Sequence, residues 1–212
     1  MEELDLLKKY WKKSEDTFEQ VSEVEIYKML HKKSSSIVKW ILIISILEVL
    51  LWTLISVCFN TDDYFKKIHG EDLIVYFEVF NYFNYAVILT FIYLFYKNYI
   101  KISTTVSIKQ LMKDILTTRR TVNYYVWYNL TMITLSVFIG YAIAFFYNPA
   151  MIALKEKMAH EKSNYTLLII FGFLALTTII LVGLFWLFYR LLYGILLKKL
   201  HTNYKELKKI DL

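Results

Sequence analysis

One proline, one cysteine and five glycines in 212 residues set the first limits on this chain. Pro149 is the sole proline, so none of the long apolar stretches is broken by one. Cys58 alone can form no intrachain disulfide and no thiolate cage for zinc or iron–sulfur, and it reads as an inert thiol near the end of an apolar run. So few glycines leave little from which to build a phosphate-cradling loop, and Gly140, Gly172 and Gly183 are not spaced as GxxxG. The four histidines, His31, His69, His160 and His201, all lie outside the apolar runs and cannot converge on one metal inside them. There is no His-Glu-x-x-His and no nucleophile elbow. The apolar runs hold neither the His nor the Asp that an intramembrane protease needs. The expectation is a protein that is no enzyme and uses no metal and no cofactor.

What the chain has in abundance is apolar and aromatic surface: 57% and 18% of residues, with a mean hydropathy of +0.40. Charged residues, 21% of the total, avoid four stretches, residues 37–59, 73–96, 125–147 and 166–189. Each meets the ~20 residues that a helix needs to cross hydrocarbon. Helices satisfy their own backbone there, and the runs lack the alternation of barrel strands. The fold expected is all-α, a four-transmembrane-helix bundle with amphipathic N-terminal and interfacial helices. No cleavable leader is expected, because the first apolar run begins only near Ile37, behind a long charged segment.

Lys and Arg orient the spans. Twenty of the 25 fall before residue 40, between Lys97 and Arg120, or after Tyr189; five fall in the other two connections. The rich side is expected inside, with both termini cytoplasmic, in a bacterial inner membrane. This distribution accounts for the net charge of +6, so a nucleic-acid partner is not expected. The division expected is a cytoplasmic amphipathic segment over 1–36, a membrane domain over 37–190 and a cytoplasmic tail over 191–212. Trp40, Trp52, Trp127 and Trp186, with many tyrosines, lie toward span ends and read as interfacial anchors.

The connections carry structure of their own. Ser22 and Glu25 form a capping box ahead of an apolar stripe, and that helix is expected to run through Ser34–Ser36 into the first span. Ser107 and Gln110 repeat the pattern, followed by Ile108, Leu111, Met112, Ile115 and Leu116 at helical spacing. This reads as an amphipathic helix lying on the inner interface. Asn148-Pro149 predicts a short outer helix to about Lys162.

Two sets of residues are candidates for function. Glu48 stands in the middle of the first span, where a carboxyl costs ~2.5–3.5 kcal/mol to insert and should face the bundle interior. No Lys, Arg or His shares its depth, and the hydrogen-bonding partners expected are Asn84, Thr134, Ser136, Thr177 and Thr178. Glu78 lies nearer the outer face, one turn from Asn81. The second set is the apolar stripe Leu4, Leu7, Trp11, Ile26, Met29 and Leu30, which either lies in the headgroups or docks on a protein partner. The leading functional expectation is a non-enzymatic tethering, regulatory or accessory subunit for a protein partner; the alternative is a small proton- or ion-coupled carrier using Glu48.

Three strings carry a resemblance: Leu6 to Lys13 (LLKKYWKK), Ile26 to Ser36 (IYKMLHKKSSS) and Val122 to Asn129 (VNYYVWYN). They resemble a family of small uncharacterised four-helix inner-membrane proteins of Bacteroidota, some encoded beside alternative sigma factors. The resemblance implies an anti-sigma-like or signalling role. Some such proteins are labelled carotene-cleaving oxygenases, a chemistry for which the apolar runs here supply no histidine.

Overall fold

A computed structural model describes residues 22–58, 65–67, 70, 72–149, 151–153 and 164–210, with side chains of the last segment from residue 168. All regular structure among them is helical. The long helices are α1 (Glu23–Cys58), α2 (Asp72–Thr104), α3 (Ile108–Tyr147), α4 (Asn164–Tyr189) and α5 (Ile195–Ile210); a π-helical turn, Arg190–Gly194, joins α4 to α5. Among the described residues four helices are long and apolar enough to cross a membrane: α1, α2, α3 and the continuous Leu168–Ile210. The end of the bundle holding the start of α1, the α2–α3 connection and α5 is called here the basic end, and the opposite end the far end.

α1 begins as its capping box predicts. The Ser22 N–H donates to Glu25 Oε2 at 3.2 Å and the Glu25 N–H to Ser22 Oγ at 3.3 Å. The helix runs without a break through Ser34–Ser36, where Ser34 Oγ accepts from Asn203 Nδ2 of α5 at 3.0 Å. Of the stripe expected to meet a partner, Leu30 is 5% exposed in the chain's own core and Ile26 packs against that core, while Met29 is 56% exposed. Leu4, Leu7 and Trp11 lie outside the described residues.

Residues 107–120 depart from expectation. Ser107 makes no side-chain cap; Gln110 Nε2 donates instead to Asp114 Oδ1 at 3.0 Å. The amphipathic segment does not lie separately on a surface but forms the first turns of the 40-residue α3. The reason is phase. Leu111, Ile115, Thr118, Val122, Tyr125 and Asn129 are all buried, at alternating steps of four and three, so the amphipathic stripe and the inner stripe of the apolar run are one line. That spacing is the heptad of a left-handed bundle. Leu200, Asn203 and Leu207 of α5 keep it, and α5 packs on α1 and α3. The chain's last segment is therefore a bundle helix rather than a free tail. The short outer helix is described only at its start, where the Met151 and Ile152 N–H groups both donate to Asn148 O at 3.0 Å.

Packing differs along the bundle. Side chains sealed from solvent, among them Val38, Ile41, Phe95, Ile102, Val122 and Leu200, concentrate toward the basic end. Tyr27 Oη closes that end by donating to Thr105 O at 3.1 Å. The apolar far halves are mostly exposed, and α4 rests mainly on α3.

Two outcomes follow at the basic end. Leu111→Ala and Leu207→Ala should each cost about 2–5 kcal/mol in unfolding experiments in detergent, as buried leucines do; Met29→Ala should change stability by no more than about 0.5 kcal/mol. Equal effects at all three positions would contradict this packing. At the same end Arg119 donates from Nη1 to His201 Nδ1 at 2.9 Å, so the imidazole is an acceptor there. Desolvation first, then the charges of Arg119 and Lys205, hold His201 below its ordinary value of 6.5. A depressed folded value means that this contact contributes fully above pH 6.5 and is lost as pH falls through the lower folded value. An NMR titration of labelled histidine should place His201 below 6.5, and Arg119→Gln should recover only part of the shift; a midpoint at or above 6.5 in the native chain would overturn the assignment.

Candidate functional site

Glu48, 5% exposed, is where three helical elements meet. α1 delivers its carboxyl on the buried stripe that includes Ile41 and Ser45. From α3, Tyr125 Oη donates to Glu48 Oε2 at 2.9 Å. From the end of α4, Tyr189 Oη donates to Oε1 at 2.5 Å, and from the π-turn Tyr193 Oη donates to Oε2 at 3.0 Å. Each of the three phenols donates to it, so the carboxyl group accepts three hydrogen bonds.

Aromatic packing holds the phenols in place. The Tyr125 ring meets Phe91 and Phe95 of α2 edge-on, each at 5.4 Å between centroids. It also meets Tyr193 edge-on at 5.7 Å, and Tyr193 stacks on Tyr189 at 6.1 Å. These separations fall in the range where aromatic pairs contribute about 0.5–1.5 kcal/mol beyond burial. Tyr189 and Tyr193, four residues apart, share a helix face and so both reach one carboxyl. Phe185, Tyr189 and Tyr193 advance in two successive steps of four, where α3 and α5 alternate threes and fours. A wider i→i+5 turn absorbs that extra residue, and such turns recur at functional sites.

Above Glu48, toward the far end, lies a partly open cavity of about 460 Å³. It runs along α1 from Glu48 to Ser56, eight residues, or about 12 Å of helix. Asn81, Asn84 and Tyr85 face it from α2, Asn129 and Ser136 from α3, and Phe185 and Tyr189 from α4. On the other side of the carboxyl, Ile41, Phe95, Val122 and Tyr193 are buried.

The partners expected for Glu48 are elsewhere. Asn84 Oδ1 accepts from Tyr128 Oη at 3.0 Å. Thr134 Oγ1 donates back to Leu130 O at 2.8 Å. Thr177 and Thr178 both bond Tyr141, at 2.7 and 3.4 Å, and so join α3 to α4 away from Glu48. Ser136 lines the cavity without bonding the carboxyl. Glu78 is exposed on α2. Tyrosine at a span end suggests an interfacial anchor, which is why the true partners escaped: Tyr125 opens the third apolar run and Tyr189 closes the fourth, whereas Glu48 is central in the first. The helices are staggered so that these three positions share one level. The usable signal was Tyr189 and Tyr193 spaced on one helix face beside a lone buried acid.

Tyr125→Phe, Tyr189→Phe and Tyr193→Phe each remove one donor and should each destabilise the bundle by about 1–3 kcal/mol, the cost of leaving a buried polar group under-satisfied. Pairs of these changes should be non-additive, since the three share one acceptor. Thr178→Val should leave the Glu48 cluster intact. Unfolding of single and double variants checks this, and strict additivity would contradict a shared carboxyl.

Among the described residues no three His, Cys, Asp or Glu side chains are grouped to hold a metal ion. No curated protein and no solved structure matches the chain. Residues 24–212 match the model of the family described as Domain of unknown function (DUF8845). That stretch includes Glu48, all three of its tyrosines and the whole cavity lining, and the chain belongs to this family.

Proposed function

We propose that the chain is a multi-pass protein of a bacterial inner membrane, basic end cytoplasmic, that acts as a small carrier with Glu48 as its binding group. The observation that carries this reading is the pairing of a buried carboxyl with a polar-lined cavity at the level of the apolar exteriors. A structural carboxyl needs satisfied hydrogen bonds but no adjoining space. Here the phenols satisfy it on one side and the cavity leaves it approachable on the other. Ionisable groups within apolar helices are costly and mark solute or proton paths. The cavity lies on one side of the carboxyl and buried side chains lie on the other, an asymmetry that an alternating-access site would show.

The orientation rests on the Lys and Arg distribution. Membrane insertion is supported by the exposed apolar belt, which includes Leu54, Val79, Phe83, Leu168, Phe173 and Ile179 and exceeds what a water-soluble surface carries. The tethering alternative uses the stripe of Leu4, Leu7, Trp11, Ile26, Met29 and Leu30, of which the first three lie outside the described residues and Met29 is exposed. Leu30 is spent in the chain's own core, which favours the carrier reading.

Thiol labelling of intact cells tests both parts. The native Cys58, exposed at the far end of α1, should react with an impermeant maleimide from outside, and Ser107→Cys in a Cys58→Ser background should not. In the same background Ser56→Cys and Asn81→Cys should react with a small water-soluble thiosulfonate, because they line a wet cavity. Val79→Cys, on the exposed apolar side of α2, should stay unmodified. External labelling at position 107 would invert the orientation, and unreactive thiols at 56 and 81 would remove the cavity on which the carrier reading rests.

A further inference from the structure

The chemistry of the cavity wall indicates the class of solute. Among its described lining residues Glu48 is the sole ionisable group other than tyrosine; no Lys, Arg or His contributes. An anionic solute would meet a carboxylate with nothing to offset it. A bare metal ion is equally poorly matched. A calcium or magnesium ion needs six or more oxygens closing round it at about 2–2.6 Å, and a cavity of about 460 Å³ lined by aliphatic and aromatic side chains with a few amides and hydroxyls is far larger than that.

The rings themselves favour an organic cation. Trp52 of α1 and Phe185 of α4 lie with centroids 5.8 Å apart and form one wall. Tyr85 supplies another face from α2, and Tyr125 and Tyr189 flank the carboxyl. Aromatic side chains beside an acid attract quaternary and protonated amines through the rings and the carboxyl together. The carboxyl also keeps capacity for such a guest. A carboxylate offers about four acceptor positions. Tyr125 and Tyr193 use Oε2, and Tyr189 alone uses Oε1. The volume lies within the range of ordinary small-molecule sites, about 300–1,000 Å³.

We infer that the cavity between Glu48 and Ser56 binds a small organic cation, a quaternary ammonium or protonated amine, against Glu48 and the Trp52–Phe185 wall. This inference rests on the carrier reading of the same cavity and deepens it by naming the solute class.

The test uses the full chain purified in detergent and isothermal titration with three probes: choline, benzyltrimethylammonium and tetraethylammonium. The uncharged control is 3,3-dimethylbutan-1-ol, the carbon isostere of choline. At least one cation should bind saturably, one per chain, and at least tenfold more tightly than the alcohol. Glu48→Gln should weaken it at least tenfold. Should that variant fail to fold, Trp52→Leu carries the test, with the same expected loss, while Trp127→Leu, exposed and away from the cavity, should bind as the native chain does. Binding by none of the three cations, equal binding of the alcohol, or an unaffected Trp52→Leu would overturn the inference. Thiols at 56 and 81 that label while no cation binds would leave the wet cavity standing and remove only the solute class; unreactive thiols would remove both.

Discussion

Everything in the bundle is arranged around a carboxyl group that a helix interior should not tolerate alone. Placing Glu48 inside an apolar helix costs ~2.5–3.5 kcal/mol on insertion scales. A hydrogen bond to a charged group returns about 1.5–3 kcal/mol, so three phenols are enough to offset that cost with something left over. The offset has a geometric condition. The phenols come from two different parts of the chain, α3 and the α4–π-turn junction, and neither can move independently once bonded to α1. The carboxyl is thus the point at which α1, α3 and the last helical segment are held in register.

The same point divides two kinds of packing. Toward the basic end the helices continue past their apolar runs with an unbroken three–four spacing of buried residues, and hydrophobic burial in water drives such a seam together. In the proposed orientation the far halves lie in lipid. No hydrophobic force operates between helices there, and association depends on close packing and interhelical hydrogen bonds. The contacts between the far halves have that character: Tyr141 with Thr177 and Thr178, and Tyr128 with Asn84. Small residues would allow closer approach, but Gly140, Gly172 and Gly183 have no neighbour within 4 Å of where a side chain would begin. A loosely joined far half and a tight basic half leave a cavity just above the last tight layer.

Much of this was legible in the residues. The four apolar runs predict the helices, the Ser22–Glu25 box places the start of α1 at Glu23, and Glu48 announces itself as the costly residue in its run. What was hidden was register between helices. The segment around Leu111 and Ile115 has the composition of a surface-lying helix, and only its phase relation to Tyr125 and Asn129 reveals a single long one. The tyrosines were hidden by the same gap. Depth read from each run separately puts Glu48 mid-span and Tyr125 and Tyr189 at boundaries, whereas the stagger of the helices is decided by contacts far apart in sequence.

The π-turn also explains why the site is suited to more than holding the bundle together. Tyr189 precedes it and Tyr193 lies within it, both bonded to Glu48, and α5 continues from it into the sealed basic end, where Asn203 reaches Ser34 and His201 meets Arg119. On the carrier reading, a solute that engages Oε1 competes with a single phenol, Tyr189, while Oε2 keeps two. The Tyr189 side of the turn is therefore the one that the solute can loosen, and the Tyr193 side stays anchored. A wider turn with a weakened bond on one flank and a fixed bond on the other is a place where a helix can change pitch without unravelling, since an i→i+5 and an i→i+4 turn differ by one residue of register. Relaxing it would rotate α5 against α1 and α3, the helices that close the basic end. The carboxyl that binds the solute would then be the one that senses it, because its two oxygens are bonded to Tyr189 at the end of α4 and to Tyr193 in the turn.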